Sequence, residues 1–355
     1  MKEQINNPIA ELDQSYYDLA CSRQSQLTKP LGSLGTLEDI AIKFCVWQKT
    51  LSPVIKNPVI VIFAADHGIA NENVSAFPQA VTTEMIRNFS NGGAAISVLA
   101  KSLKIPLQVI DVGTVVEAEN LDGVISKRIA AGTKNFAVEP AMSLDECYQA
   151  MSVGEQLIKQ EKKNALDVFI AGEMGIANTS SASAISSVLL NLPAEKLTGP
   201  GTGLDQKSII HKANIIQTAI EFHQSNFTND DGTIDVLRVL QTVGGFEIAA
   251  LVGAYLTCAQ QGIPILVDGF ICSVAALVAT RIAPKAINWM CFSHKSLEPG
   301  HQLVLDALTA TPILSLNMRL GEASGAALSI ATIKLALELH NNMATFEQAA
   351  VSNKK

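Results

Sequence analysis

Four apolar stretches in the middle of the chain each end on an acidic residue close to a glycine. Within each stretch the apolar residues follow one another without alternation, which is typical of a strand covered on both faces. The four stretches are residues 59–66, 107–111, 167–173 and 263–268. Because a buried strand must surface where its acid appears, we expect carboxylates at the ends of four strands.

Helical patterns separate these stretches. Helices are predicted over residues 79–90, 205–222, 246–260 and 271–282, from Asn178 onward, and from about 94 to 101. A further strand is predicted at residues 287–292. Alternating strands and helices with short turns favour a parallel, doubly wound α/β sheet. In such a sheet small ligands bind beyond the carboxyl ends of the strands, which is where the acids are expected.

Both ends of the chain carry helical patterns and no strand pattern. Near the start, Thr36-Leu37-Glu38-Asp39 resembles a helix start closed by a capping box. Near the end, residues 323–339 form a long helix with an apolar stripe. We therefore expect a small helical domain built from residues 1–52 and 320–355, beside an α/β domain of residues 53–319.

Composition narrows the classes of function. Hydrophobic residues make up 48% of the 355 residues and charged residues 17%, which suits a large core and excludes disorder. The formal net charge is −7 and no basic stripe is present, so nucleic-acid binding is not expected. The longest apolar region is broken by Gln260-Gln261-Gly262, so no membrane span is expected. The start lacks a signal-peptide pattern, and the cysteines lack Cys-x-x-Cys pairs, as expected for reduced thiols in the cytoplasm.

Two glycine-containing turns could hold a phosphate group. The first, residues 172–181, leaves a strand and enters a helix, where Gly175 allows close approach and the helix start offers free N–H groups. The second, residues 198–205, carries alternate glycines whose amides could face a ligand. Lys212 on the following helix could reach an anion. An ordinary helix cap and an ordinary surface loop explain the two segments equally well.

A third segment, residues 319–327, places Glu322 among small residues at the start of the last apolar helix. A glutamate at this position can simply complement the helix dipole. As a functional group it would be a carboxylate partly desolvated by Leu320, Ala323 and Ala326. Such surroundings raise a carboxyl pKa and suit a general base.

Other chemistries lack their motifs. Asp66-His67 beside Asp268 could indicate a metal, but no His-x-x-x-His or Glu-x-x-His spacing supports one, so no metal is expected. An NAD-dependent oxidoreductase would need a glycine fingerprint after the first strand, and that fingerprint is missing. Ser293-His294 follows a predicted strand and could bind phosphate or form an ordinary polar turn.

These segments occur together, in the same order, in one known family. The chain resembles the nicotinate-nucleotide–dimethylbenzimidazole phosphoribosyltransferases, which make the lower-ligand nucleotide of cobalamin, over nearly its whole length. The matching segments are residues 29–35, 65–68, 111–113, 172–179, 243–247, 267–270, 293–294 and 319–327. Each segment alone is a weak signal, whereas the ordered set is highly specific.

The resemblance implies a doubly wound, Rossmann-like, mostly parallel sheet flanked by helices, with a small helical domain formed from both chain ends, and a homodimer. It also implies transfer of the 5-phosphoribosyl group from nicotinate mononucleotide to 5,6-dimethylbenzimidazole or a related base, with inversion to the α-nucleotide. Nicotinate leaves as a neutral pyridine, so neither a metal nor another cofactor is expected. Adenine-type or phenolic acceptors, and a non-catalytic nucleotide-binding Rossmann-type protein, remain alternatives.

The resemblance also assigns residues. It makes Glu322 the general base and Glu173 a second carboxylate near the ribose and the reacting centre. The residues that it places at the nucleotide phosphate and ribose are Gly175, Asn178, Thr179, Gly201, Gly203, Lys212, Ser293 and Gly321. The residues expected to form an apolar slot for the flat acceptor base are Phe77, Met85, Met174 and Leu320. Phe77 and Met85 could equally be ordinary core residues.

Overall fold

A parallel sheet forms the centre of the computed structural model, which describes residues 1–2, 4–118 and 120–352. The strands of this described part are β1 (Pro58–Ala65), β2 (Leu107–Gly113), β3 (Val124–Ser126), β4 (Val168–Met174), β5 (Ile265–Val267) and β6 (Met290–Phe292). Their spatial order is β3-β2-β1-β4-β5-β6, and every neighbouring pair is parallel. The order reverses between β1 and β4, so the crevice beyond these two strands is the topological switch point.

Helices flank this sheet. The α-helices of the described residues are α1 (Gln14–Gln26), α2 (Thr36–Gln48), α3 (Ala80–Ser90), α4 (Ala95–Leu103), α5 (Leu144–Lys163), α6 (Asn178–Leu190), α7 (Ala194–Leu197), α8 (Gln206–Phe222), α9 (Gln224–Phe227), α10 (Val236–Val243), α11 (Phe246–Gln261), α12 (Phe270–Ile282), α13 (Pro299–Ala307) and α14 (Ser324–Asn342). Every residue of β1 is buried, as expected for a strand between two helical layers. Within the described chain, no helix is both long and apolar enough to cross a membrane.

Helix α11 is the most buried helix of the core and packs across β1, β2, β4 and β5. Its other main contact is α5, and two glycines set the spacing of that pair. A β-carbon at Gly253 would lie 2.0 Å from the backbone oxygen of Met151, and one at Gly154 would lie 2.0 Å from that of Ala250. The two backbones are therefore too close for any side chain between them.

The two ends of the chain lie against each other. Helix α1 packs on α2, and α2 packs on α14. Arg23 Nε donates a hydrogen bond to the backbone oxygen of His340 at 2.8 Å, and Leu27 forms an antiparallel bridge with Thr345. The start of α14 leaves this group of helices and contacts β4, so the same helix links the chain ends to the edge of the sheet.

The predicted fold class is confirmed, whereas several local predictions need correction. Thr36 does not cap α2; the cap is Gly35, and Glu38 instead pairs with Lys29 at 2.8 Å. The predicted strand at 287–292 is shorter, because a 3-10 helix occupies Pro284–Trp289 and the strand begins only at Met290. The sequence patterns also missed β3 and the long helix α5.

Candidate active site

A cavity of about 470 Å³ opens at the carboxyl edge of the sheet. Its walls come from residues 74–85, the turn that follows β4, the loop before α8, the start of α12, and two segments that precede α13 and α14. Chain segments far apart in sequence therefore meet at the place where a doubly wound sheet binds its ligands.

Glu173, near the end of β4, is buried in one wall of this cavity. Asn178 at the start of α6 donates a hydrogen bond from Nδ2 to its Oε2. Burial raises the pKa of Glu173 to about 8, opposed by the Asn178 hydrogen bond and reinforced by nearby carboxylates, including that of Glu322. At neutral pH the Glu173 carboxyl is therefore mostly protonated when no ligand is bound.

Glu322 lines the same cavity just before α14. Burial, with a smaller effect from Asp268, raises its pKa to about 7. Gly321, Glu322 and Ala323 all have left-handed backbones, with φ of 84°, 59° and 59°. Such backbone conformations are costly for residues other than glycine and cluster at functional sites. A carboxyl with a pKa near neutrality, held in a fixed position, is suited to general-base catalysis.

Two glycines allow the carboxyls of Glu173 and Glu322 to come together. A β-carbon at Gly172 in β4 would lie 2.3 Å from the backbone nitrogen of Ala323, and one at Gly321 would lie 2.6 Å from Glu173 Oε1. A side chain at Gly172 would push the segment that carries Glu322 away from β4, and one at Gly321 would displace the Glu173 carboxyl. The glycines thus explain how both carboxyls face one cavity.

Asp268 holds the start of α14 in place. This buried residue follows β5, and its Oδ1 accepts a hydrogen bond from the backbone nitrogen of Ala326 at 2.8 Å. Burial raises the pKa of Asp268, and His294, whose Nε2 lies 3.8 Å from Oδ1, opposes that shift. Asp268 therefore positions the segment that bears Glu322 and also contributes negative charge beside it.

One end of the cavity is suited to an anion. Lys212 on α8 is only 1% exposed, and its Nζ donates to Thr179 Oγ1 at 2.7 Å. Thr179 lies in the first turn of α6, where the N–H groups and the helix dipole favour negative charge. Burial lowers the pKa of Lys212 to about 8, and Glu298 opposes that shift. An arriving anion would therefore stabilise the charged ammonium group.

Another part of the cavity wall is apolar. Phe77, Met85, Met174 and Leu320 all line it. Phe77 is 49% exposed and Leu320 is 55% exposed, so neither belongs to the core. Exposed aromatic and aliphatic side chains at a cavity mouth offer a surface for a flat ring.

The cavity wall contains most of the residues predicted from the sequence, but not all of them. The predicted residues that line it are Glu173, Glu322, Gly175, Asn178, Thr179, Gly201, Gly321, Phe77, Met85, Met174 and Leu320. Lys212 lies behind Thr179 and reaches the wall through it. Ser293 is buried and donates to the backbone oxygen of Asp268 at 3.1 Å, and Gly203 lies outside the wall.

The acids that end β1 and β2 do not face the cavity. Asp66 accepts hydrogen bonds from Thr82 Oγ1 at 2.6 Å and from the backbone nitrogen of Val115 at 2.8 Å. Asp111 accepts from the backbone nitrogens of Gly113 and Thr114. These two carboxylates hold loops at the edge of the sheet. The acids after β1 and β2 therefore do not belong to the expected row of acids that face a ligand.

Sequence reasoning named Ser293-His294 as a possible phosphate site but missed other residues of the wall. Ser296 and Glu298 follow the same strand, β6, and line the cavity with His294. Arg319 and Thr202 also line it, and they lie in segments that the sequence singled out without assigning these two residues. The strand-end argument applied to the whole segment after β6 would have pointed to Ser296 and Glu298. Among the described residues, no group of three or more His, Cys, Asp or Glu side chains is arranged to hold a metal ion.

The fold and the site together are those of an α/β protein with a cavity suited to a phosphorylated small molecule. A family model described as phosphoribosyltransferase matches residues 9–351. Relatives named nicotinate-nucleotide–dimethylbenzimidazole phosphoribosyltransferase include one from Pseudomonas putida (strain W619), 50% identical over 97% of this chain and 96% of that protein. Another, from Azotobacter vinelandii (strain DJ), is 49% identical over 96% of each chain. The chain therefore belongs to the family of nicotinate-nucleotide–dimethylbenzimidazole phosphoribosyltransferases.

A solved structure supports the same relationship. The chain is similar to the crystal structure of a nicotinate-nucleotide–dimethylbenzimidazole phosphoribosyltransferase from Thermus thermophilus, with a TM-score of 0.89 and 34% identity. The similarity covers 96% of this chain and 100% of the Thermus chain. The likeness therefore extends over nearly the whole architecture.

Proposed function

We propose that this enzyme transfers the phosphoribosyl group of nicotinate mononucleotide to 5,6-dimethylbenzimidazole or a related base, giving α-ribazole 5'-phosphate and nicotinate. The observation that carries the proposal is the pair of buried carboxyls, Glu322 and Glu173, in one cavity whose wall also includes Thr179, backed by Lys212, and apolar side chains. The names of the relatives support the choice of substrates.

In the proposed reaction the unprotonated nitrogen of the acceptor base attacks C1' of the ribose. The bond from C1' to the pyridine nitrogen breaks, and its electron pair neutralises the pyridinium. Glu322 removes the proton from the other acceptor nitrogen. A positioned general base of this kind typically contributes about 10²–10⁴-fold to the rate, and the pKa of Glu322, about 7, matches a neutral working pH.

Glu173 is proposed to act beside the ribose. Its carboxyl is oriented by Asn178 and can form a hydrogen bond with a ribose hydroxyl. The positive pyridinium nitrogen of the donor lowers the pKa of a carboxyl that lies beside it, so its approach favours ionised Glu173. The resulting carboxylate would stabilise the positive charge that develops at C1' as nicotinate departs.

The anion end is proposed to hold the 5'-phosphate. Thr179, backed by Lys212, and the glycine turns at Gly175 and Gly201 would supply hydrogen bonds and charge. Gly203, with φ of 115°, would act indirectly by shaping the loop before α8. Ser293 would act through its hydrogen bond to Asp268.

The apolar part of the wall is proposed to hold the acceptor. Phe77 can stack on a flat ring, while Met85, Met174 and Leu320 provide adaptable apolar contact. These side chains offer no hydrogen bond to an exocyclic amine or a hydroxyl, which favours a methylated benzimidazole. Adenine-type and phenolic acceptors are the alternatives for the test.

We also propose the larger organisation expected from the family. Residues 1–52 and 320–355 would form a small helical domain, supported by the contacts among α1, α2 and α14, and residues 53–319 would form the catalytic domain. A homodimer is proposed, to be checked by light scattering. A cytoplasmic location is proposed because all six cysteines are free, as in a reducing compartment.

The decisive experiment is product identification. The enzyme is incubated with nicotinate mononucleotide and, separately, 5,6-dimethylbenzimidazole, adenine or a phenol, and nicotinate release and the anomeric form of the product are measured. We expect nicotinate and the α-nucleotide with the benzimidazole. Binding of nicotinate mononucleotide without nicotinate release by any base would instead favour a non-catalytic nucleotide-binding protein.

A further inference from the structure

A buried carboxyl group lies at the anion end of the cavity. Glu298, the residue before α13, is 6% exposed and lines the cavity wall. Its Oε1 accepts a hydrogen bond from the backbone nitrogen of Gly201 at 3.1 Å, and its Oε2 has no hydrogen-bond partner among the described residues. A carboxylate is unexpected here, because it repels the anion that its neighbours attract.

The groups around Glu298 place it close to the proposed phosphate. A β-carbon at Gly201 would lie 2.8 Å from Thr179 Oγ1 and 3.4 Å from Lys212 Nζ. Gly201, whose backbone nitrogen donates to Glu298, therefore lies beside the Thr179–Lys212 pair. Arg319 Nη1 donates to the backbone oxygen of the same Gly201 at 3.1 Å. The charged groups that act on Glu298 are thus Lys212 from α8 and Arg319 from the segment before α14.

A single proton resolves the conflict between this carboxylate and a phosphate. Burial raises the pKa of Glu298, while Lys212, the Gly201 amide and Arg319 oppose that shift. The second pKa of a phosphate monoester lies near 6. One proton between the two groups can therefore reside on the phosphate or on Glu298, and a shared proton turns a repulsive contact into a charge-assisted hydrogen bond.

We propose that Glu298 is a further substrate-contacting residue, which shares one proton with the phosphate of the bound nucleotide and so selects an anion that can be protonated. This inference rests on the proposed function, because it places the nucleotide phosphate beside Lys212. The proton comes from solvent or from the anion itself, and no other bond changes.

The first test compares inorganic phosphate with sulfate. At pH 8 phosphate still carries a proton that it can donate to Glu298, whereas sulfate carries none. Affinities are measured by calorimetry for the wild-type enzyme and for Glu298→Gln, with Glu195→Gln as a control. Glu195 is exposed on α7, so this variant makes the same charge change away from the cavity.

We expect the wild-type enzyme and Glu195→Gln to prefer phosphate by about tenfold or more. Glu298→Gln can still accept the Gly201 hydrogen bond and should bind the two anions comparably. Equal affinities in the wild-type enzyme, or an undiminished preference in Glu298→Gln, would overturn the proposal. If Glu298→Gln does not fold, equal affinities of the wild-type enzyme for the two anions would still overturn the proposal.

The second test follows the proton. Binding of nicotinate mononucleotide is measured calorimetrically at pH 6.5, well below the pKa of about 8 of Lys212, in two buffers that differ in ionisation enthalpy. Wild-type enzyme and Glu195→Gln should take up more protons than Glu298→Gln, and no difference would contradict the inference. Failure of the proposed function has another signature, since nicotinate release would be missing while the phosphate preference persisted.

Discussion

Glu322 is the residue whose replacement tests the proposed chemistry most directly. Glu322→Gln keeps the shape of the side chain and removes its ability to accept a proton. We expect kcat to fall about 10²–10⁴-fold, while the dissociation constant of nicotinate mononucleotide changes little. Steady-state rates and calorimetric binding measure the two quantities. Glu338→Gln, on an exposed position of α14, is the matched control and should keep the wild-type rate.

The pH profile of the wild-type enzyme provides a second check on the same residue. Only ionised Glu322 accepts a proton, and burial raises its pKa to about 7. Activity should therefore rise as the pH passes through this region, and it should fall again as Lys212, whose pKa burial lowers to about 8, loses its charge. A flat profile from pH 5.5 to 8.5, or near-wild-type kcat in Glu322→Gln, would remove Glu322 from the role of base.

Single residues also show where sequence reasoning stopped. Glu173 and Asp66 both follow buried strands and look equivalent in the sequence. Only the fold shows which of the two can contact a ligand. The carboxylate of Asp66 accepts hydrogen bonds from Thr82 and Val115, whereas Glu173 faces the cavity. Glu298 was missed because the contact that suggests its role is with Gly201, which lies 97 positions away in the chain.

At the scale of elements, the contact between β4 and the start of α14 sets the position of the base. Gly172→Ala would place a β-carbon 2.3 Å from the backbone nitrogen of Ala323. The start of α14 would have to move, so we expect kcat to fall by an order of magnitude or more, since about 1 Å of misplacement can cost 10²-fold. Thermal stability should fall as well.

A second glycine variant separates loss of stability from loss of chemistry. Gly253→Ala creates a clash of similar depth, 2.0 Å from the backbone oxygen of Met151, in the contact between α11 and α5. It should lower the melting temperature while leaving kcat near wild type at temperatures where the protein is folded. If both variants lost kcat in proportion to their stability, the β4–α14 contact would have no specific role in catalysis.

Elements with strong local patterns were predictable, and elements defined by their neighbours were not. The apolar run of β1 and the helix α8 appear close to their predicted bounds. Strand β3, with an intermediate and two exposed residues, carries no apolar run and forms only by pairing with β2. Helix α5 carries a local signal, the capping box of Ser143 and Glu146, whereas the similar pattern at Thr36 forms no cap.

At the scale of the whole molecule, the crossing from β1 to β4 explains why distant segments form one site. The strand order reverses there, so the loops after β1 and β4 diverge and leave a crevice. The alternation of strands and helices predicted this class of sheet. It could not predict that the last helix would return to close the crevice, because that depends on the long-range contact of Gly172 with Ala323.

The stability of the whole molecule should depend on pH through its buried groups. Burial raises the pKa of Glu173 to about 8 and that of Glu322 to about 7, from a usual 4.5. Between pH 4.5 and these raised pKa values the folded chain binds more protons than the unfolded chain. The free energy of unfolding therefore falls as the pH rises through this range. Burial lowers the pKa of His301 to about 3, which has the opposite effect but is complete above about pH 6.5. Burial also lowers the pKa of Lys212 to about 8, so this lysine opposes the decline as the pH approaches 8. Stability should therefore decline from about pH 6.5 to 7.5.

Glu173→Gln should remove much of this decline, because glutamine keeps the hydrogen-bonding shape of the protonated carboxyl and never ionises. In the absence of substrates, its melting temperature at pH 8 should exceed that of the wild type by a few degrees, and the difference should shrink at pH 5.5. Scanning calorimetry at both pH values measures the effect, with Glu338→Gln as the control. An equal shift at both pH values would mean that the folded chain does not hold Glu173 protonated. The same variant should turn over more slowly, because the carboxyl that destabilises the free enzyme is the one proposed to stabilise the ribose cation.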